Sequence, residues 1–287
     1  MSATLQAPVD RRAPSGVSGR VGLAFGDGLL VARRNLVTLT RVPTVFIFEL
    51  VQPVMFVLLF RYIYDNQFAT LPVGLDYVQF LMPGIFVQNA IFGATTTAVG
   101  LAEDLKTGII DRFRSLPMAR SAVLVGRTTS DLLKNLLLVL IVIGIGYLAG
   151  FRFENGFVPA VGVVVLVLAV GFTFSWMFAC VGLALKQVEA VQAASFTFVF
   201  PIVFVSAAFV PVVGMASWLQ PIARHNPVTV WSNLARYLSS GDIGIVDVTT
   251  KLPVDTFEGL VLKSVLWIVA LLVIFVPVAI RLYRRLD

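Results

Sequence analysis

Long apolar stretches dominate the hydrophobic pattern of this 287-residue chain, and polar segments separate them. A hydrocarbon core about 30 Å thick requires roughly 20 apolar residues in a helix. Six stretches reach that length, so the pattern predicts six membrane-spanning helices, called spans 1 to 6 in chain order. Their predicted ranges are 44–64, 78–101, 129–150, 158–185, 190–210 and 259–283.

The composition agrees with a membrane protein and excludes a water-soluble domain. The chain is 58% hydrophobic and 13% charged, whereas ordinary globular proteins are about 45–50% apolar and about 25% charged. Strands of a membrane barrel would show alternation over about ten residues, and these stretches are uninterrupted. The predicted fold is therefore all-α and polytopic.

The lysines and arginines predict how the helices are oriented. With an even number of spans, 16 of the 22 basic residues fall on the side of both termini and six on the other side. Because basic residues accumulate in cytoplasmic loops, both termini are expected in the cytoplasm and the chain in the cell membrane. Anionic lipid at the inner face accounts for the net charge of +6 without a nucleic-acid partner.

Two segments precede span 1. Residues 19–41 alternate apolar residues with arginines, which predicts an amphipathic helix in the membrane interface. Residues 1–18 are rich in proline, serine and glycine and predict a disordered tail. Residues 19–287 would then form one transmembrane domain.

The loop after span 2 predicts a second amphipathic helix, over residues 103–117. Leu105, Ile109, Phe113 and Leu116 fall on one helical stripe. The charged residues cover the other faces, with acidic residues leading, as the helix dipole favours. They are Glu103, Asp104, Lys106, Asp111, Arg112 and Arg114. Such a helix either receives a push from a cytoplasmic partner or lies on the membrane.

The sequence offers no catalytic residues, no metal ligands and no cofactor site. A phosphate-binding P-loop requires a second glycine before its Lys-Thr pair, and Leu105 precedes the single Lys-Thr pair, Lys106-Thr107. With His225 as the one histidine and Cys180 as the one cysteine, most metal and catalytic-triad chemistries are excluded.

Polar residues inside the spans are candidates for a translocation pathway. A charge in lipid costs at least about 2.5–3.5 kcal/mol, so Glu49 should face protein or water. Gln52, which follows it by three residues, is a further pathway candidate. Glu49 lines a pathway or gate, pairs with a neighbouring span, or lies at the membrane interface. Gln88 and Asn89 could line the pathway too, or form hydrogen bonds between helices.

Three further patterns lie in spans 3 to 5. Phenylalanines stud span 5, and they suit either an aromatic substrate or lipid; the pathway candidates are Phe196, Phe200 and Phe204. Small residues in span 4 predict close helix packing; they are Gly171, Ser175, Ala179 and Gly182. The spacing of Arg127, Asp131 and Lys134 predicts an ion-pair ladder at the start of span 3.

Three stretches carry a family resemblance. The segment DRFRSLPMARSAVLVGR (111–127) resembles the loop of type-2 ABC exporter permeases, particularly the daunorubicin/doxorubicin-resistance kind. ELVQPVMFVLLFRYIY (49–64) resembles their first span, although Arg61 stands where a small residue is more usual. LQPIARHNPVTVWSNLARYL (219–238) resembles their external hairpin and contains His225, Asn226 and Pro227.

The resemblance implies an assembly and a mechanism. Two six-helix permeases would pair, and each would dock a cytoplasmic ATPase subunit that binds ATP and magnesium. Residues 103–117 would be the coupling helix, 19–41 an elbow helix beside it, and 212–240 a re-entrant hairpin closing the outer end. A hydrophobic drug, antibiotic or lipid would leave the cell.

An ATP-independent function stays open on the residues alone. A channel, scramblase or secondary carrier for apolar substrates would also be rich in membrane spans. Secondary carriers usually show inverted repeats and paired ionisable residues near the midplane. The chain shows no convincing repeat, and Glu49 has no paired ionisable residue of this kind, which favours the exporter.

Overall fold

The computed structural model describes residues 43–64, 76–108, 122–242 and 255–285, and these contain helices and no strands. The eight α-helices of these ranges are α1 (Pro43–Tyr64), α2 (Tyr77–Lys106), α3 (Ala122–Leu148), α4 (Phe157–Leu185), α5 (Val188–Phe204), α6 (Gln220–His225), α7 (Pro227–Ser240) and α8 (Phe257–Arg284). A short 3₁₀ helix, Val212–Gly214, precedes α6. The predicted tail (1–18) and elbow helix (19–41) lie outside the described residues.

Four of the described helices are long and apolar enough to cross a membrane: α2, the Asp131–Leu148 part of α3, α4 and α8. The Leu50–Tyr62 part of α1 and the whole of α5 are shorter apolar helices. The prediction of an all-helical, multi-pass membrane protein is therefore confirmed. The count of six spans and the side of each terminus stay predictions.

Helix α2 forms the centre of the bundle and packs against α1, α3, α4, α5 and α7. In its most apolar 18-residue window, 89% of the residues are buried, against 6% in α8. Yet α8 is the more apolar helix of the two. This inversion is expected in lipid, where apolar side chains can face outward and polar ones must face protein.

Glycines allow α4 to approach α2 closely. A Cβ added at Gly182 would lie 2.5 Å from the carbonyl oxygen of Ala98, closer than real Cβ atoms come. One added at Gly171 would lie 3.0 Å from Nδ2 of Asn135 and 3.5 Å from Cβ of Ala90. The predicted small-residue packing of this helix is thus confirmed.

The fifth helix ends earlier than the apolar pattern predicts. The predicted span reaches residue 210, but α5 ends at Phe204 and residues 205–209 form consecutive turns, named here the 205–209 turn. Pro201 lies in its last turn. The 17 residues of α5 fall short of the roughly 20 needed to cross a bilayer.

The predicted hairpin, 212–240, contains the 3₁₀ helix and two α-helices joined at Asn226. Helix α6 has six residues, whereas α7 has 14 and is buried against α2, α4 and α8. Pro227 begins α7, where its missing N–H costs nothing. The Asn226 side chain caps the same helix by accepting a hydrogen bond from Val228 N–H at 2.9 Å.

Candidate functional site

A cavity of about 450 Å³ lies between α1, α2, α3 and α5. Its volume falls within the range of about 300–1,000 Å³ that is usual for small-molecule sites. The lining combines two phenylalanine rings, aliphatic side chains and several polar groups. The polar and aromatic lining residues are Gln52, Asn89, Phe92, Thr95, Thr96, Gln192, Ser195 and Phe196.

Helical spacing aims these side chains at one space. On α2, Asn89, Phe92 and Thr96 recur at intervals of three and four residues, so they share a face. On α5, Gln192 and Phe196 are one turn apart and share a face too. Two polar faces that would be costly in lipid are therefore turned toward each other.

The hydroxyl groups of the lining are tied to their own helices. Ser195 Oγ donates to the carbonyl of Val191 at 2.7 Å, and Thr95 Oγ1 donates to the carbonyl of Phe92 at 2.7 Å. The amide side chains of Gln52, Asn89 and Gln192 supply donors and acceptors to the same cavity. The cavity can therefore hold an apolar molecule that carries a few hydrogen-bonding groups.

Two buried charged side chains of α3 bind threonines beside the cavity. Lys134 Nζ donates to Oγ1 of Thr96 at 2.7 Å, and a carboxylate oxygen of Asp131 accepts from Oγ1 of Thr97. Both charges belong to the predicted ladder of span 3. They lie between α2 and α3, whereas the side chain of Arg127 lies outside the description.

A row of phenylalanines continues from the cavity toward the 205–209 turn. Successive ring centroids are 5.8 Å apart from Phe196 to Phe200, 5.7 Å from Phe200 to Phe204 and 5.4 Å from Phe204 to Phe209. Phe209 then stacks on Phe60 of α1, with centroids 4.9 Å apart and planes 6° from parallel. We call these five residues the aromatic row.

The predicted pathway residues are placed unequally. Gln52, Asn89 and Phe196 line the cavity together. Phe200 and Phe204 lie outside the lining, with their half-exposed rings on the aromatic row.

The remaining two pathway candidates, Gln88 and Glu49, are not among the described lining residues. Gln88 is buried away from the cavity, and its Oε1 finds no hydrogen-bond partner among the described residues. Glu49 is part of α1, but the described side chains of that helix begin at Leu50, so its predicted role stays a prediction.

The predicted coupling residues are described only at their start. Glu103, Asp104 and Lys106 form the last turn of α2 itself, and the helix ends in a Thr107–Gly108 turn with Gly108 at φ +67°. The other five lie outside the described residues; they are Asp111, Arg112, Phe113, Arg114 and Leu116. The predicted range 103–117 is therefore wrong at its start, because residues 103–106 belong to α2. A coupling helix beyond Gly108 stays a prediction.

Two of the predicted hairpin residues, Asn226 and His225, make contacts with backbone carbonyls. Nδ2 of Asn226 donates to the carbonyls of Ile202 and Val205, both at 2.7 Å, and so ties the end of α5 to the start of α7. Nδ1 of the exposed His225 lies 2.8 Å from the carbonyl oxygen of Pro221, one turn earlier in α6.

One buried residue escaped sequence reasoning. Arg236 is one of the six basic residues that the predicted spans place on the side opposite the termini, but it is 1% exposed within α7. Its guanidinium lies 3.7 Å from the centroid of the Phe80 ring and donates to backbone carbonyls. Its spacing of eight residues from Val228 places both residues on the buried face of the helix, and this spacing was the one signal of its burial in the sequence.

Comparison with known proteins decides the family. A family model described as ABC-2 type transporter matches residues 28–238, most of the chain.

The chain belongs to the ABC-2 type transporter family.

Relatives agree with this assignment. The daunorubicin resistance ABC transporter permease protein DrrB1 of Streptomyces coeruleorubidus is 32% identical over 281 residues, which cover 94% of each chain. The probable doxorubicin resistance ABC transporter permease protein DrrC of Mycobacterium tuberculosis is 27% identical over 72% of this chain and 74% of its own. A putative transport permease, ycf38, of Cyanophora paradoxa is 26% identical over 74% and 73%. The resemblance to type-2 ABC permeases is confirmed.

Proposed function

We propose that this chain is the membrane subunit of an ATP-driven exporter that moves hydrophobic compounds out of the cell. It would work with a separate cytoplasmic ATPase subunit, which binds ATP and magnesium, and with a second permease chain. Family membership and the drug-resistance names of two relatives support this proposal.

The observation that carries the proposal is the cavity together with the aromatic row. The cavity pairs phenylalanine rings with side-chain amides, which suits a largely apolar, aromatic compound with a few polar groups. With both termini in the cytoplasm, the cavity lies in the inner half of the bilayer. The row from Phe196 to Phe60 then leads to the outer end.

Coupling would reach the cavity through α2. Thr96 of the cavity wall precedes Lys106, the last residue of the helix, by ten residues, or about 15 Å of helix. No further span separates α2 from the predicted coupling helix. A displacement of this loop by the ATPase would therefore move the cavity wall directly.

Uptake into inside-out membrane vesicles tests the proposal. The chain is produced with its ATPase subunit, and accumulation of fluorescent daunorubicin is followed with ATP and with a non-hydrolysable analogue. We expect accumulation only with ATP and only with both subunits. The purified chain alone should hydrolyse no ATP.

Variants connect that transport to the cavity. Phe196→Ala should alter the concentration dependence of uptake, because its ring lines the cavity. Phe198→Ala is the matched control, since Phe198 lies two residues away on the same helix and is 57% exposed outside the cavity. Equal uptake without ATP or the ATPase would instead favour a channel, scramblase or secondary carrier.

A further inference from the structure

The 205–209 turn interrupts a helix within an apolar stretch, so its backbone groups need partners. In lipid an unsatisfied backbone group is costly, and irregular backbone is tolerated only where protein or water satisfies it. Ala207 N–H donates to Oγ1 of Thr229 at 2.9 Å, which ties the turn to α7. The phenol of Tyr77 in α2 donates to the carbonyl of Phe209 at 3.2 Å.

Arg236 satisfies the carbonyls in the middle of the turn. Its Nη2 donates to the carbonyls of Ala207 and Ala208, the latter at 3.0 Å, while Nε donates to the carbonyl of Phe80 in α2 at 2.8 Å. Nη1 donates to Oδ1 of Asn233 at 2.9 Å. One buried guanidinium thus joins α7, α2 and the turn.

The turn is also pressed onto α2. A Cβ added at Gly84 would overlap the carbonyl oxygen of Ala208, because the two backbones are in direct contact at this point. Glycine at this position therefore lets the turn lie close enough to α2 for Arg236 to bridge both.

The opposite side of the turn presents an aromatic ring to α1. Phe209 is 3% exposed and stacks on Phe56 and Phe60, with ring centroids 5.3 and 4.9 Å apart. Stacked rings can separate without leaving a polar group unpaired. The hydrogen bonds of Arg236 cannot break at so low a cost, because each lost bond would leave a buried charge or a buried carbonyl without that partner.

We propose that Arg236 is a positioning residue that fixes Phe209 as a seal against α1 at the end of the aromatic row. The inference rests on the proposed function, because the row is taken as part of the export pathway. Arg236 makes the turn one rigid body with α2 and α7. The seal therefore opens by movement of α1 away from Phe209 rather than by movement of the turn.

Thiol labelling tests the position of residue 209 without any transport assay. Cys180 is the single native cysteine, so Phe209→Cys is placed in a Cys180→Ala background and purified in nanodiscs. A water-soluble maleimide, which reaches both faces of a nanodisc, then labels residue 209. We expect slow labelling with Arg236 and labelling about tenfold faster or more with Arg236→Lys, which loses charge-assisted bonds.

Arg224→Lys is the matched control, since Arg224 is exposed on α6 and should leave labelling slow. Equal labelling of the Arg236 and Arg236→Lys proteins would overturn the inference, whether or not the chain exports drugs. If Arg236→Lys does not fold, a Phe60→Cys/Phe209→Cys pair in the Arg236 protein replaces it. A short bifunctional thiol reagent should cross-link that pair and arrest export reversibly; export unchanged at full cross-linking would contradict the seal.

Discussion

Lys134 of α3 donates a hydrogen bond to Thr96 of α2 at 2.7 Å, and Thr96 lines the cavity. The neighbouring pair repeats the arrangement, since Asp131 accepts from Thr97. Helices α2 and α3 lead into and out of the loop that contains the predicted coupling helix. Buried charges therefore bind across this pair of helices. Under the proposed function, the two helices would move together when the ATPase displaces the loop.

Thr96→Val should therefore destabilise the protein and impair transport. Valine keeps the shape but removes one acceptor of a buried ammonium group, and the loss of such a bond costs about 1–3 kcal/mol. Thermal unfolding of the purified protein measures the first effect and vesicle uptake the second. Thr197→Val is the control, because the exposed Thr197 hydroxyl bonds only within its own helix as described, to Ala193. Equal melting of both variants would contradict the role of the contact.

Gly182→Ala should destabilise the bundle, whereas Gly144→Ala should not. The added methyl group at Gly182 meets the backbone of Ala98 in α2, and overpacking of this kind costs about 1–3 kcal/mol. Apart from the adjoining backbone of its own helix, no described atom lies within 4 Å of a Cβ at Gly144, so alanine there is neutral or slightly stabilising. A lower melting temperature for Gly182→Ala alone is expected; similar values would argue against close α2–α4 packing.

Asn226→Ala should loosen the end of α5. The change removes the cap of α7 and both bonds to the carbonyls of Ile202 and Val205, at a cost of about 1–3 kcal/mol. Hydrogen exchange should become faster across 202–209 and stay unchanged in α4. Asn155→Ala is the control, since Asn155 is exposed and makes one longer bond, to the carbonyl of Tyr237 at 3.3 Å. Uniform exchange in the Asn226 variant would contradict the link.

Phe113→Ala combined with Leu116→Ala should uncouple the ATPase. Both residues belong to the apolar stripe of the predicted coupling helix, and burying two such side chains stabilises a contact by about 3–6 kcal/mol before docking costs. Co-purification with the ATPase subunit should fall while membrane insertion stays normal. Phe198→Ala is the control, because it removes an aromatic ring from α5, outside the predicted coupling helix. Full recovery of the complex and of transport would contradict the coupling assignment.

The apolar pattern was sufficient for the helical class but not for the end of α5. Apolar residues continue to Val210, so the pattern extends the helix past Phe204. The stop depends on bonds from Asn226 to Ile202 and from Arg236 to Ala207, which are 24 and 29 residues apart in sequence. A local pattern does not contain partners at that distance.

The lining of the cavity could be predicted only in part, because some of its residues are recognised only through packing against distant helices. Gln52 and Asn89 are polar residues in apolar stretches. Because lipid disfavours polar side chains, the sequence alone predicts that they face protein or a cavity. Gln192 lies near the start of span 5, where an amide is ordinary, so only packing against α2 reveals its place in the cavity. Arg236 lies between the predicted spans 5 and 6, so the topology places it on the outer side, and its charge gives no sign that it is buried.

Photolabelling tests the central claim, that the exported compound binds in the cavity, most directly. A photoreactive daunorubicin analogue is bound to the assembled transporter, irradiated and mapped by peptide mass spectrometry. We expect label on the peptides that contain Asn89–Thr96 and Gln192–Phe196, with competition by unlabelled drug and a reduction in Phe196→Ala but not in Phe198→Ala. Label confined to the exposed face of α8, or label that unlabelled drug does not displace, would contradict the account.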